Sequence, residues 1–354
     1  MQMIKELLLQ QQRLYPGLEL QDCLKLLYQN ELGGGHLIQD EAAFCERLQQ
    51  ERQQVDFSTT PREPEDIGNG LYRIHLAGVG NTLVAQTLTR ICAISARKHV
   101  GSLQNLQKKL AMLQTLIQQG KLPYSAPQAL EEIAQYIQAG CPQTHHSARF
   151  VALYQPHYRL VTKKFALVLP VFAAIDKELQ GKSHVLVAID GMAAAGKSSL
   201  AKQLAQVYGS GTVEVDDFFL QHWQRTPQRL AEAGGNIDYE RLAPVVQQAA
   251  AGQGVCYQGY NCATGQTNVQ RTLPAGRVTV VEGSYSMHPR LNAPYDVKVF
   301  LQVDATTQAG RILQRNGQAM AQRFTNEWIP MENQYFAEFK VREGCDVVID
   351  TSNS

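Results

Sequence analysis

The chain has 354 residues, enough for about two domains at ~150 residues each. Apolar residues make up 44% and charged residues 18%, so a sizeable core forms and wholesale disorder is excluded. With 33 basic and 32 acidic residues the formal charge is +1, which excludes a nucleic-acid or membrane partner held by bulk electrostatics and leaves recognition to a local site.

Near the N-terminus, Leu7-Leu8-Leu9 runs straight into Gln10-Gln11-Gln12-Arg13, so no secretory apolar region is expected. Leu20, Leu24, Leu27 and Tyr28 recur at helical spacing before the stop at Gly33-Gly34-Gly35. A loop is expected over Ser58 to Gly70, which holds Pro61 and Pro64. Leu83, Val84, Thr87, Leu88 and Ile91 predict a further helix, as do Leu103, Leu106, Leu110 and Leu113. The longest apolar run, Phe165 to Ile175, is broken by Pro170 and stopped by Asp176, too short to span a bilayer. Residues 1–180 therefore read as a mostly α-helical domain whose role the sequence leaves open.

Seven scattered cysteines (Cys23, Cys45, Cys92, Cys141, Cys256, Cys262 and Cys345) form no Cys-x-x-Cys pair. That argues against a disulfide framework or a zinc ribbon and fits a reducing, cytoplasmic setting. Histidines and arginines cluster beside expected loops in this half, at Gly33-Gly34-Gly35-His36, Gly70 to His75 and His145-His146-Ser147-Ala148-Arg149. They read either as an anion or second-substrate site or as surface and satisfied core histidines. No acidic residue or cysteine stands at helical spacing from His145 or His146, so metal ligation is not expected. The segment Tyr154 to Arg159 offers aromatics and an arginine that stack on a base or pack internally.

From His184 the pattern changes. His184-Val-Leu-Val-Ala-Ile-Asp190 is a short β-branched run, and similar runs recur at Thr212 to Val215, Val278 to Val281, Val297 to Val303 and Val347 to Ile349. Helical segments intervene, which predicts a parallel sheet with helices on both faces. The boundary is placed at Gln180-Gly181-Lys182-Ser183, giving an α/β domain over 181–354.

The first of these runs ends in Gly191-Met-Ala-Ala-Ala-Gly196-Lys197-Ser198, a full Gly-x4-Gly-Lys-Ser match. Glycines let backbone N–H groups wrap a polyphosphate, and the following helix offers its positive end. Gly191, Ala194, Ala195, Gly196, Lys197, Ser198 and Ser199 are thus assigned to nucleotide binding, with Lys197 on the β- and γ-phosphates and the Ser198 hydroxyl on Mg²⁺. This defines a P-loop NTPase-type sheet with ATP and magnesium as cofactors. Thr212-Val-Glu-Val-Asp216-Asp217 and Val278-Thr-Val-Val-Glu282 end strands whose C-termini share one edge, so their carboxylates should face the loop. One of Asp216, Asp217 and Glu282 can act as base toward an acceptor hydroxyl while the others, beside Ser198, hold magnesium directly or through water; helix capping is the plainer alternative for Asp217 and Glu282. Arg311 and Arg315 lie four apart on one helix face and are assigned to the transferring phosphoryl group. No Asn-Lys-x-Asp guanine-reading motif occurs, which argues against a GTPase.

Val185 to Ile349, nearly half the chain, resembles the uridine kinase / phosphoribulokinase group of phosphate-loop kinases, in a bacterial uridine kinase-like branch. The resemblance rests on the phosphate loop, Val215-Asp216-Asp217-Phe218-Phe219, Asn236-Ile237-Asp238, Val281-Glu282-Gly283 and the arginines Arg311, Arg315 and Arg323. It implies that Asp216 is the catalytic base, that Asp238 holds sugar hydroxyls and that the arginines form a lid. Asp217, Asn236, Tyr260 and Arg323 join Asp238 on the acceptor side. Two departures bear on the base pocket: Phe219 stands where the group has Tyr, and Tyr260-Asn-Cys-Ala-Thr-Gly265 lacks its His.

The sequence thus predicts an ATP- and magnesium-dependent kinase acting on a hydroxyl of a nucleoside or related small metabolite. A nucleotide-occupied switch whose helical half binds a partner is the alternative. No nucleic acid or membrane partner is expected, and self-association is left open.

Overall fold

By its internal contacts the chain divides into two units, Met1–Asn81 with Leu88–Ala166, and Thr82–Thr87 with Leu167–Ser354. The structure, a computed structural model, describes residues 1–35, 38–56, 63–80, 82–261 and 264–353. His36, the Ser58 to Arg62 part of the expected loop, and Cys262 and Ala263 lie outside the described residues.

The helices run α1 Gln2–Leu14, α2 Leu20–Leu32, α3 Glu41–Arg52, α4 Leu76–Val79, α5 Ala85–Lys98, α6 Leu103–Gln118, α7 Ala126–Gln138, α8 Ala148–Tyr154, α9 Lys163–Leu179, α10 Lys197–Tyr208, α11 Pro227–Ala231, α12 Tyr239–Ala250, α13 Ala305–Arg323 and α14 Ile329–Phe339. The contact division falls inside α9, earlier than the Gln180–Ser183 turn where the composition changes. Residues of α9 from Leu167 onward cluster with the second unit, where Asp176 accepts from the Val84 N–H (2.8 Å), Thr87 Oγ1 (2.9 Å) and Tyr208 Oη (2.9 Å). No described helix is long and apolar enough to cross a membrane.

In the first unit, Leu8, Leu26, Leu27, Leu106, Leu110 and Leu113 bury the faces that the leucine spacing marks out. A small antiparallel sheet, β1 Glu65–Asp66, β2 Leu71–His75 and β3 Tyr158–Thr162, joins these helices, pairing Leu71 with Thr162 and His75 with Tyr158. The sequence reading has no strands here. Their partners are far apart in the chain, and polar residues (Arg73, His75, Arg159) interrupt each short run.

The second unit carries β4 Val185–Gly191, β5 Gly211–Glu214, β6 Val255–Asn261, β7 Gln266–Leu273, β8 Val278–Glu282, β9 Val297–Gln302 and β10 Val347–Asp350. Its five-stranded sheet has the order β10-β9-β4-β8-β5, with every pairing parallel. All seven residues of central β4 are buried, so both faces of the sheet are covered there, as successive side chains point to opposite faces. β6 and β7 form a separate antiparallel hairpin that the sequence reading lacks.

Candidate active site

The strand β4 delivers the phosphate loop to the C-terminal edge of the sheet, between β8 and β9. At Gly191 φ is 130°, and a Cβ there would lie 2.1 Å from the Leu301 carbonyl oxygen, so only glycine lets β9 come this close. The loop then leaves tethered to β9, with Met192 N–H donating to that same oxygen at 3.0 Å.

All five carbonyls from Gly191 to Ala195 are held by side chains. Lys197 Nζ donates to Gly191 O (2.7 Å) and Met192 O (3.1 Å), and Gln308 Nε2 to Ala193 O (3.0 Å). Arg311 Nη1 donates to Ala194 O (3.2 Å) and Thr351 Oγ1 to Ala195 O (3.0 Å). Among the described residues no acceptor meets the N–H groups of Ala194, Gly196, Lys197 or Ser198. Left-handed Ala194 (φ 58°) and Gly196 (φ 97°), the latter capping α10, turn the backbone into a concavity of donors at a helix N-terminus. Such a concavity binds anions.

Carboxylates stand beside it. Ser198 Oγ donates to Glu282 Oε1 at 2.8 Å, and Glu282 ends β8 opposite Ile189 of β4 and Glu214 of β5. Burial pushes the Glu282 pKa up, against Ser198 and Lys197, and nearby Asp216 pushes it further. Asp216 lies just past β5 in a single turn, Val215–Phe218, and its side chain is reached by solvent. Enclosure within the cleft nevertheless raises its pKa, Lys197 and Arg315 pull it down, and Asp217 pushes it up. Asp216, Glu282, Lys197 and Arg315 therefore share one electrostatic field.

The described residues contain no group of three or more His, Cys, Asp or Glu that forms a ready metal cage. A magnesium–nucleotide needs none, because phosphates and water supply most of its ligands beside one or two carboxylates. The Ser198 hydroxyl, Glu282 and Asp216 fit that requirement.

Other assigned residues have different surroundings from those expected. Arg311 also donates to Thr351 O (2.6 Å), so its guanidinium supports the loop rather than standing clear of it. Arg315 is exposed and donates to Asn316 Oδ1 (2.8 Å), just before Gly317, whose φ of 77° breaks α13. Arg323 pairs with Glu327 (2.9 Å) and stacks on Trp328. Buried Asp217 is held by Arg271 through two bonds, 2.8 and 3.0 Å, and by Tyr257 Oη at 3.1 Å, which fastens the β6–β7 hairpin instead of presenting a carboxylate to an acceptor. Asp238 caps α12 through Arg241 N–H (3.1 Å) and accepts from Gln224 Nε2 (2.8 Å). Asn236 keeps a buried Oδ1 with no partner. Tyr260 accepts from Arg225 (3.0 Å) and meets Phe219 edge-on. Ser199 is exposed in the first turn of α10.

Sequence reasoning missed a supporting set. Glu332 of α14 accepts from Ala193 N–H (3.0 Å) and from Ser284 Oγ (2.6 Å), and Ser284 in turn accepts from Lys197 Nζ (3.1 Å). Asp190, fully buried, accepts from the N–H groups of Gly191 (2.7 Å), Tyr285 (3.3 Å) and Met287 (3.1 Å) and from Tyr335 Oη (2.8 Å). Asp190 stands inside the recognised motif and could have been found there. Glu332 lies in Pro-Met-Glu-Asn-Gln, which reads as a solvated helix start.

No protein-family model matches the chain, and no curated protein matches it. Among solved structures it is similar to a possible uridine kinase from Bacillus stearothermophilus, at 20% identity and a TM-score of 0.38, over 51% of this chain and 100% of that one. It is also similar to a candidate fructose transport system kinase from Silicibacter sp. TM1040, at 23% identity and a TM-score of 0.38, over 48% of this chain and 91% of that one. What the site can do follows from its own geometry.

Proposed function

We propose that the second unit is an ATP- and magnesium-dependent kinase that transfers the γ-phosphoryl group to a hydroxyl of a nucleoside or related small metabolite. The reading is carried by Asp216, an accessible carboxylate in the same field as Lys197, beside a loop whose carbonyls are tied back and whose N–H groups at Ala194, Gly196, Lys197 and Ser198 are open. In this reading the loop N–H groups and Lys197 hold the β- and γ-phosphates. Ser198, Glu282 and Asp216 would hold magnesium, which would supply charge neutralisation on those phosphates. Asp216 accepts the proton of the acceptor hydroxyl as that oxygen bonds to the γ-phosphorus and ADP departs. Arg315, whose charge reaches Asp216, would offset charge on the oxygens in transfer. A nucleotide-occupied switch would leave Asp216 without work.

On the acceptor side, Asn236 Oδ1 lacks a partner, and Asp238 accepts one bond from Gln224 Nε2 and one from Arg241 N–H, which leaves acceptor capacity on both residues for the donors of vicinal hydroxyls. Phe219 offers an apolar edge where a base-reading phenol would stand. A site that pairs a hydroxyl rejects the analogue lacking it by up to ~10⁴-fold, whereas an apolar wall discriminates only ~10- to 200-fold. Phosphate transfer from ATP, measured across uridine, 2′-deoxyuridine, purine ribosides, pantothenate-like and sugar acceptors, tests this. Rejection of the 2′-deoxy analogue with tolerance of the base is expected. Hydrolysis of ATP with no transfer to any of these would favour the switch.

A further inference from the structure

We propose that the first unit binds a small uncharged molecule, apolar in body and carrying one hydrogen-bond-accepting oxygen, in a cavity of about 250 Å³ lined by residues of α2, α3, α5 and β3. A buried water needs only ~10–15 Å³ of such space, and an apolar cavity of ~150 Å³ takes up a benzene ring, so this one has room for a ring with a substituent. Ile38, Phe44, Leu71, Ala96 and Leu160 supply its apolar wall.

The lining leaves no charge for an ion to pair with. Glu51, its one carboxylate, is engaged by Arg159 Nη2 (2.6 Å) and His157 Nδ1 (2.9 Å). Arg47 has an interaction of its own, so neither guanidinium of the lining is spare. Burial pushes the Cys92 thiol up to about 12, which keeps it neutral. A charged ligand would give up its hydration here without gaining a counter-charge, whereas an uncharged one gives up little.

One donor is left over. Arg73 donates to Gln29 Oε1 from both Nη2 (2.8 Å) and Nε (3.3 Å). That turns the amide oxygen to the guanidinium and fixes Nε2 as the other end. Gln29 is only 7% exposed and lines the cavity, yet no acceptor among the described residues meets its Nε2. A buried donor without an acceptor is costly, and a carbonyl oxygen on the ligand removes that cost. Gln29 also borders an adjoining space of about 50 Å³, room for a few waters, so the body of the ligand belongs in the larger cavity. Other polar groups of the wall are already fixed: Ser95 Oγ accepts from Thr162 N–H (3.1 Å), and His99 Nε2 meets Glu31 O (2.8 Å). The wall therefore stands before the ligand arrives, which favours binding.

Ligand-observed NMR titration of the full chain tests this, with acetophenone as probe, ethylbenzene as a near-isostere without the oxygen and benzoate as the charged counterpart. Acetophenone should saturate the protein in the millimolar range or below, with both controls about fivefold weaker or more, the scale of one hydrogen bond. Gln29→Glu keeps an oxygen for Arg73 but sets a carboxylate oxygen where Nε2 stood, and should weaken acetophenone about tenfold or more. Ala96→Leu fills the cavity from a half-buried position and should weaken acetophenone by a similar factor, which keeps the site testable where Gln29→Glu does not fold. Ethylbenzene or benzoate binding as tightly as acetophenone, no saturable acetophenone binding, or affinity unchanged in Ala96→Leu would each overturn the proposal. So would unchanged affinity in a folded Gln29→Glu.

Discussion

Asp216 and Glu282 are both carboxylates whose pKa burial raises, yet they have different partners: Glu282 receives Ser198, whereas Asp216 has only the fields of Lys197, Arg315 and Asp217. The unbonded one is the better proton acceptor. If Asp216 is the base, as proposed, Asp216→Asn keeps size and removes it, so kcat should fall ~10²-fold or more while ATP binding is largely retained. The pH dependence carries the sign. A base works only when deprotonated, so activity is full above its pKa and is lost as pH falls through it. Because that pKa is raised in the metal-free protein, the acid limb of kcat/KM for magnesium–ATP, which reports the free enzyme, should lie above the ordinary aspartate range. Rate measurements against pH should show the limb in the wild type and its disappearance in Asp216→Asn. A limb that survives the substitution with turnover intact would move the role to another carboxylate.

At the scale of elements, the phosphate loop is braced by parts distant in sequence: Gln308 and Arg311 of α13, Thr351 after β10 and Glu332 of α14. Glu332→Gln keeps an oxygen for Ala193 N–H but replaces the acceptor of the Ser284 hydroxyl with an amide, which also releases the group that receives Lys197. If bracing is its work, KM for ATP should rise ~10-fold, the scale of one charged hydrogen bond, with a smaller change in kcat. Steady-state kinetics resolve the two, and a fall in kcat alone would mean that Glu332 acts in the transfer step. This bracing also marks what was legible in the sequence. The five parallel strands were, because each is a short β-branched run, and so was the loop, because its glycines and Lys197 are spaced by chemistry rather than by packing. The β2–β3 pairing and the β6–β7 hairpin were not. β2 and β3 pair across most of the first unit's chain, and the adjacent strands β6 and β7 carry Gln258, Asn261, Gln266, Asn268, Gln270 and Arg271 where a β-branched apolar run would mark them. Asp217 and Arg311 carried the right charge at the right place in the chain, but the sequence does not contain Arg271 beside the one or Thr351 beside the other.

On the scale of the whole molecule, each unit has a core of its own, Leu8, Leu26, Leu27 and Leu106 in the first, and Val213, Phe218, Leu242, Val281 and Tyr335 in the second. A chain with two cores need not unfold in one step. Ligands that bind only folded protein then act as labels for the unit they stabilise. At 100 times its Kd, a ligand adds ~2.7 kcal/mol, which raises the transition of a unit this size by roughly 5–10 °C. Scanning calorimetry with a non-hydrolysable ATP analogue and magnesium should therefore raise the transition that carries the second core and leave the other in place. Lys197→Ala should abolish that shift while keeping both transitions, because the ammonium contacts the loop and not the core. If one nucleotide-sensitive transition carries all the heat, the units unfold together; if the nucleotide moves neither transition in the wild type, the anion concavity at Ala194 to Ser198 does not bind ATP.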